Sequence, residues 1–127
     1  GKWCIAVTPI VLPLINFCAK LLTQNDAVVL GRIFRYLEES NNTKRLLQAF
    51  KDKATGKGLR VLNTHAVKDN STTRAIINVA KNDQCNVLAL TVPPGKDRIT
   101  RNILNLVKDA NSAVLIFRER PEVRRGL

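Results

Sequence analysis

Five short apolar runs, spaced by stretches whose apolar residues recur with helical period, constrain this chain more than any other feature. Residues 3–8 form the first run. After Pro9 and Pro13, Leu14, Phe17, Cys18, Leu21 and Leu22 recur at i, i+3, i+4, i+7 and i+8, which predicts a strand and then an amphipathic helix. An Asn25-Asp26 turn precedes residues 27–34, apolar and β-branched enough for a buried strand. Ser40, Asn41, Asn42 and Thr43 supply caps for a helix bearing Leu46, Leu47, Phe50 and Ala54, which Gly56-Lys57-Gly58 stops before a strand over 59–64.

The second half repeats the alternation. Asp69, Asn70 and Ser71 offer caps to a helix with Ala75, Ile76, Val79 and Ala80 on one face, ending near Asn82-Asp83, and residues 86–91 read as the fourth strand. A loop over 93–97, with Asp97 as cap, leads to a helix striped by Ile99, Ile103, Leu106, Val107 and Ala110, and residues 113–117 close as the fifth strand. Strands too apolar to face water, alternating with helices, argue a parallel sheet covered on both faces: a three-layer, doubly wound α/β domain with five strands. Residues 1–118 form that single domain and 119–127 a basic tail.

Length and composition fit one core. The 127 residues are 45% hydrophobic and 24% charged, which excludes a disordered tail, a collagen-like fibre and a multidomain enzyme. The uncharged stretch 3–19 is interrupted by Pro9 and Pro13 and falls short of the roughly 20 apolar residues a membrane span needs. No signal peptide is expected either. Without Met and starting at Gly1, the sequence reads as an excised domain or a processed product. Cys4, Cys18 and Cys85 are odd in number and widely spaced, so they read as reduced, buried thiols in a cytosolic setting rather than a disulfide framework or zinc site.

Ligands of such sheets gather at the carboxyl ends of the strands, which directs attention to Thr8-Pro9, Gly31-Arg32, Thr64-His65 and residues 91–97. These loops are poor in catalytic chemistry. Leu90 and Asp97 stand where a Walker-type loop around Gly95-Lys96 needs Gly and Ser or Thr, and no G-x-G-x-x-G follows the first strand. The lone His65 reads as a hydrogen-bonded structural residue, and no catalytic or metal-binding set is assembled. Thr8, Gly95 and Lys96 remain as anion or nucleotide candidates, Gly95-Lys96 because free N–H groups at the start of the last helix favour negative charge.

The net charge of +11 is unevenly placed: residues 32–60 carry eight basic and three acidic side chains, and residues 96–127 carry eight and four. Arg32, Lys44, Arg45, Lys51, Lys53 and Lys57 define a basic surface suited to an anionic lipid surface or an acidic partner. Nucleic acid is not favoured, because stacking aromatics are scarce and Phe17, Phe50 and Phe117 fit core positions.

Several segments carry a family resemblance. Cys4-Ile5-Ala6-Val7 before a helix, Gly58-Leu59-Arg60-Val61 entering the third strand, Asn86-Val87-Leu88-Ala89-Leu90 and Ala113-Val114-Leu115-Ile116-Phe117 resemble the universal stress protein fold over residues 2–118. ATP-binding members carry an acidic residue ending the first strand and a glycine-rich loop after the fourth. Here Thr8 takes the first position, Thr91-Val92-Pro93-Pro94-Gly95 replaces the loop, and Thr100-Arg101 falls where its final Gly-Ser would be. A further likeness is to the cytosolic C-terminal domain of cation-chloride cotransporters, whose fold is similar. Lys2-Trp3-Cys4-Ile5-Ala6-Val7-Thr8, Asp26-Ala27-Val28-Val29-Leu30-Gly31-Arg32-Ile33 and Thr64-His65-Ala66 look like its pattern.

That second likeness implies a non-catalytic regulatory and assembly domain on the cytoplasmic side of a membrane, with the rest of an ion transporter as partner and a homodimer as working form. No cofactor is expected on that reading. The alternative is a stand-alone universal stress protein that binds a nucleotide or another anion.

Overall fold

The structure, a computed structural model, describes residues 1–93 and 101–118. Its elements follow in order: β1 (Lys2–Ala6), α1 (Leu12–Leu21), β2 (Ala27–Phe34), a 3-10 turn (Leu37–Glu39), α2 (Ser40–Gly56), β3 (Val61–Lys68), α3 (Thr72–Asn82), β4 (Val87–Val92), α4 (Arg101–Asp109) and β5 (Ala113–Arg118). The strands form one parallel sheet in the order β3-β2-β1-β4-β5. The chain winds outward from β1 to β3, then returns to β4 on the other side of β1. This is the doubly wound α/β class that the sequence predicts.

Alternation along the central strands divides the core in two. Ile5, Val28, Leu30 and Ala89 pack with Leu14, Ile15, Leu47 and Phe50 of α1 and α2. Cys4, Val29 and Leu88 project to the other face, against Ile76, Val79 and Ala80 of α3 and Leu106 of α4. Because both faces are covered, β1 and β2 have no water-facing side, which is why residues 3–6 and 27–30 are continuously apolar rather than alternating.

Two helices end alike. After α2, Gly58 adopts φ +93°, its N–H donates to the Thr55 carbonyl at 3.0 Å, and the Leu59 N–H donates to the Ala54 carbonyl at 3.0 Å. After α3, Gln84 takes φ 56°, its N–H donates to Lys81 O at 3.0 Å, and the Cys85 N–H donates to Ala80 O at 2.8 Å. Both are Schellman motifs, in which a left-handed residue turns the chain back over the helix end. Glycine enters that region freely; glutamine does so at a cost.

The structure corrects several sequence expectations. β1 stops at Ala6, two residues early, because Thr8 opens a turn: the Val11 N–H donates to Thr8 O at 3.1 Å. The buried side of α1 is Leu14, Ile15 and Cys18, whereas Phe17 and Leu21 are 37% and 53% exposed. Phe17 instead sits against Phe117, ring centroids 5.5 Å apart. The expected caps Ser40 to Thr43 lie inside α2, whose entry is set by the preceding 3-10 turn and the Tyr36 N–H donating to Glu39 Oε1 at 3.1 Å. β3 runs Val61–Lys68 rather than 59–64, because Leu59 belongs to the turn that closes α2. Its exposed Asn63 and Thr64 belong to an edge strand, where polar residues mimic a strand exit. In α4, Leu106 is buried but Val107 is 47% exposed; Ile99 and the cap Asp97 lie outside the described residues, as does the tail 119–127. All three cysteines are buried and free of disulfides. Among the described residues no helix is long and apolar enough to cross a membrane.

Candidate functional site

The reversal in strand order places the carboxyl ends of β1 and β4 side by side, with helices leaving toward opposite faces, and a crevice is expected there. A cavity of about 270 Å³ fills it. Ala6 and Val7 of the β1 end and Leu90 of β4 line it, together with Ile76 of α3 and Ile103 and Leu106 of α4. Its polar groups among the described residues are Thr8, Arg32, Thr72, Thr73 and Thr91.

Each polar group is set by the backbone. Val7 continues the sheet beyond β1, its N–H donating to Gly31 O at 2.7 Å. Its own carbonyl accepts from Arg32 Nη1 at 3.0 Å, which fixes the guanidinium at the cavity rather than on the outer surface. That bond uses one of five guanidinium N–H donors. Thr8 accepts a long 3.4 Å bond from the Ile10 N–H.

Thr72 and Thr73 open α3, whose N-terminus is tied down twice. Ser71 Oγ accepts from the Arg74 N–H at 3.3 Å, and Asp69 Oδ1 accepts from the Ser71 N–H at 2.8 Å and from Arg74 Nη2 at 3.2 Å. The Ser71 amide, more than Arg74, holds the Asp69 carboxyl below the usual carboxylate range. On the other side, the Thr91 Oγ1 is buried and has no hydrogen-bond partner. Buried hydroxyls are almost always bonded, which sets this atom apart, with Asn16 Oδ1, among the described residues.

Gly31 also lines the cavity, and its bare Cα lets α3 approach β2. A Cβ there would lie 3.1 Å from Ile76 Cδ1 and 3.4 Å from Val79 Cγ1.

Of the residues singled out from sequence, Thr8, Gly31, Arg32 and Thr91 meet at this cavity; Gly95 and Lys96 lie outside the described residues. The six-member basic surface divides. Arg32 belongs to the cavity, and α2 spreads the remainder over its circumference. With about 100° per residue and Thr43, Leu47, Phe50 and Ala54 as the buried stripe, Lys44 and Lys51 fall on one flank. Lys53 and Lys57 fall on the other, Lys53 Nζ standing 5.7 Å from the Phe50 ring centroid, and Arg45 points outward.

His65 is not among the residues lining the cavity. Its Nε2 lies 2.7 Å from Asp83 Oδ2, and Asn63 Nδ2 donates to the same oxygen at 3.3 Å. Partial burial works to raise the Asp83 carboxyl, but its bonds to His65 and Asn63 and the charges of His65 and Lys2 together outweigh it and leave the pKa lowered. Sequence reasoning missed Thr72 and Thr73, which only the packing of α3 across β2, β1 and β4 brings beside the cavity, whereas the rule of carboxyl-end crevices pointed to Thr91.

No family model and no curated protein sequence matches the chain. Solved structures do. A universal stress protein from Archaeoglobus fulgidus superposes with a TM-score of 0.74 at 14% identity over 91% of both chains. The Archaeoglobus fulgidus protein in complex with dAMP gives 0.73 at 13% identity, covering 91% of this chain and 95% of that one. A universal stress protein in complex with cAMP gives 0.72 at 12%, covering 93% and 96%. The likeness to the cotransporter domain gains no support from these matches. At such identities the similarity speaks to architecture, and it shows that this chain has the universal stress protein fold.

Proposed function

We propose that the chain is a universal stress protein-type binding domain whose cavity takes a small nucleotide, the base against the aliphatic walls and the phosphate toward Arg32. The observation that carries this reading is the pairing of a pinned guanidinium with a buried, partnerless Thr91 hydroxyl at the strand-order reversal. Two of the similar structures hold dAMP and cAMP, which supports the same ligand class. At about 270 Å³ the cavity sits at the lower edge of ordinary small-molecule sites, roughly 300–1,000 Å³, which suits a nucleoside-sized group better than an extended triphosphate. Backbone N–H groups opening α3 add to the attraction for negative charge.

Among the described residues the lining offers threonine hydroxyls and one guanidinium but no His, Cys, Lys, Asp or Glu, and the proposal is therefore one of binding.

Thermal unfolding in the presence of AMP, cAMP, ATP and inorganic phosphate tests this. A ligand that binds only the folded state stabilises it by about 2.7 kcal/mol at one hundred times its Kd. AMP and cAMP are expected to raise Tm saturably, inorganic phosphate to raise it little, and Arg32→Ala to remove most of the nucleotide effect. No rise with any nucleotide would overturn the reading.

A further inference from the structure

A second feature lies at the opposite, amino-terminal end of the strands. Cys4 of β1 and Cys85, in the turn before β4, belong to the same cluster beneath α3, with Val79, Ala80 and Leu88 around them. The two side chains are neighbours in that cluster, close enough for each thiol to act on the other's ionisation. The Schellman turn at Gln84 creates this encounter: its left-handed backbone folds Cys85 back under the end of α3, where the Cys85 N–H is held by Ala80 O.

The two sulfurs differ in access. Cys4 is wholly buried, whereas Cys85 is 9% exposed and borders a cavity of about 250 Å³ lined by Lys81, Gln84, Asn111 and Ser112. The neighbouring Cys4 thiol draws the Cys85 pKa down against the opposing effects of burial and the Asp83 carboxylate, and the Lys2 ammonium acts in the same direction as Cys4. Cys18 lies across the sheet in the other cluster and has no thiol neighbour there.

We propose that Cys4 and Cys85 are a peroxide-sensitive redox pair, Cys85 the attacked thiol and Cys4 the resolving one. The Cys85 thiolate attacks one oxygen of a hydroperoxide that enters the small cavity. The O–O bond breaks, water or an alcohol leaves after taking up a proton, and Cys85 becomes a sulfenic acid. The Cys4 sulfur then attacks the Cys85 sulfur, the S–O bond breaks, and the Cys4 proton leaves with the hydroxyl as water. The two thiols together lose two electrons and the peroxide gains two. The resulting disulfide joins the start of the sheet's central strand to the turn that ends α3.

The full chain, reduced and freed of reductant, is treated with one equivalent of hydrogen peroxide, alkylated and mapped by mass spectrometry. A Cys4–Cys85 linked peptide in most molecules is expected, reversed by dithiothreitol, with Cys18 still fully alkylated. Cys4→Ala should leave a dimedone-reactive Cys85, and Cys85→Ala should leave Cys4 unoxidised. Mapping of the parent chain decides the matter even if a variant folds poorly. Three alkylatable cysteines after treatment, oxidation that runs on to sulfinic acid at Cys85 without a disulfide, or Cys18 reacting as fast as Cys85 would each overturn the proposal.

Discussion

Arg32 illustrates how one residue reads differently alone and in place. In sequence it heads a basic region, but in the fold its guanidinium is bonded to the Val7 carbonyl at the cavity. Its neighbour Gly31 has an equally local consequence. Because a Cβ would press on Ile76 and Val79 at 3.1 and 3.4 Å, Gly31→Ala should destabilise the domain. A cost of about 1–3 kcal/mol is expected from overpacking, measured by urea unfolding. His65 and Asp83 make a further prediction. The folded Asp83 carboxyl lies below its ordinary value of 3.8, so its contribution is complete above that value and is lost as pH falls through the folded pKa. Asp83→Asn should therefore melt below the parent at pH 7, and the gap should be smaller at an acidic pH below 3.8. An equal gap at both pH values would remove the carboxylate from the explanation.

At the scale of elements, the paired helix endings offer an internal comparison. The turn closing α2 uses Gly58 and the one closing α3 uses Gln84, with the same two hydrogen bonds in each. Replacing Gln84 by Gly should thus stabilise the protein, by about 1 kcal/mol, read from the shift in urea midpoint at constant m-value. The same scale explains what the sequence could and could not reveal. β2 is legible to the residue, since seven of its eight residues are apolar or glycine, Arg32 being the exception, and the run follows an Asn-Asp turn. Ser71 is legible as a cap because its hydroxyl is needed where the apolar period of α3 begins. The start of α2 is not, because a 3-10 turn of charged residues precedes it and displaces the apparent caps inward. β3 is half legible: its neighbour β2 pairs with it on one side alone, so its outward residues are free to be polar.

For the whole molecule, alternation of strands and helices was sufficient to predict a three-layer sheet, but not the β3-β2-β1-β4-β5 order that creates the cavity. That order joins residues 19 to 83 positions apart in sequence, so Thr8, Arg32, Thr72 and Thr91 carry no shared local pattern. The charge of +11 also changes meaning at this scale. The six basic residues singled out from sequence are divided among the two flanks and outer face of α2 and its end, and one guanidinium within the cavity, which separates diffuse attraction for anions from a built site. Diffuse attraction fades with salt over a Debye length of about 8 Å at 0.15 M ionic strength. Backbone NMR chemical-shift mapping of the full chain titrated with AMP at that ionic strength distinguishes the two most directly. Saturable shifts centred on Thr8, Gly31, Arg32, Thr72 and Thr91 are expected. Shifts confined to Lys44, Arg45, Lys51, Lys53 and Lys57 of α2, or none at all, would contradict a nucleotide site at the meeting of β1 and β4.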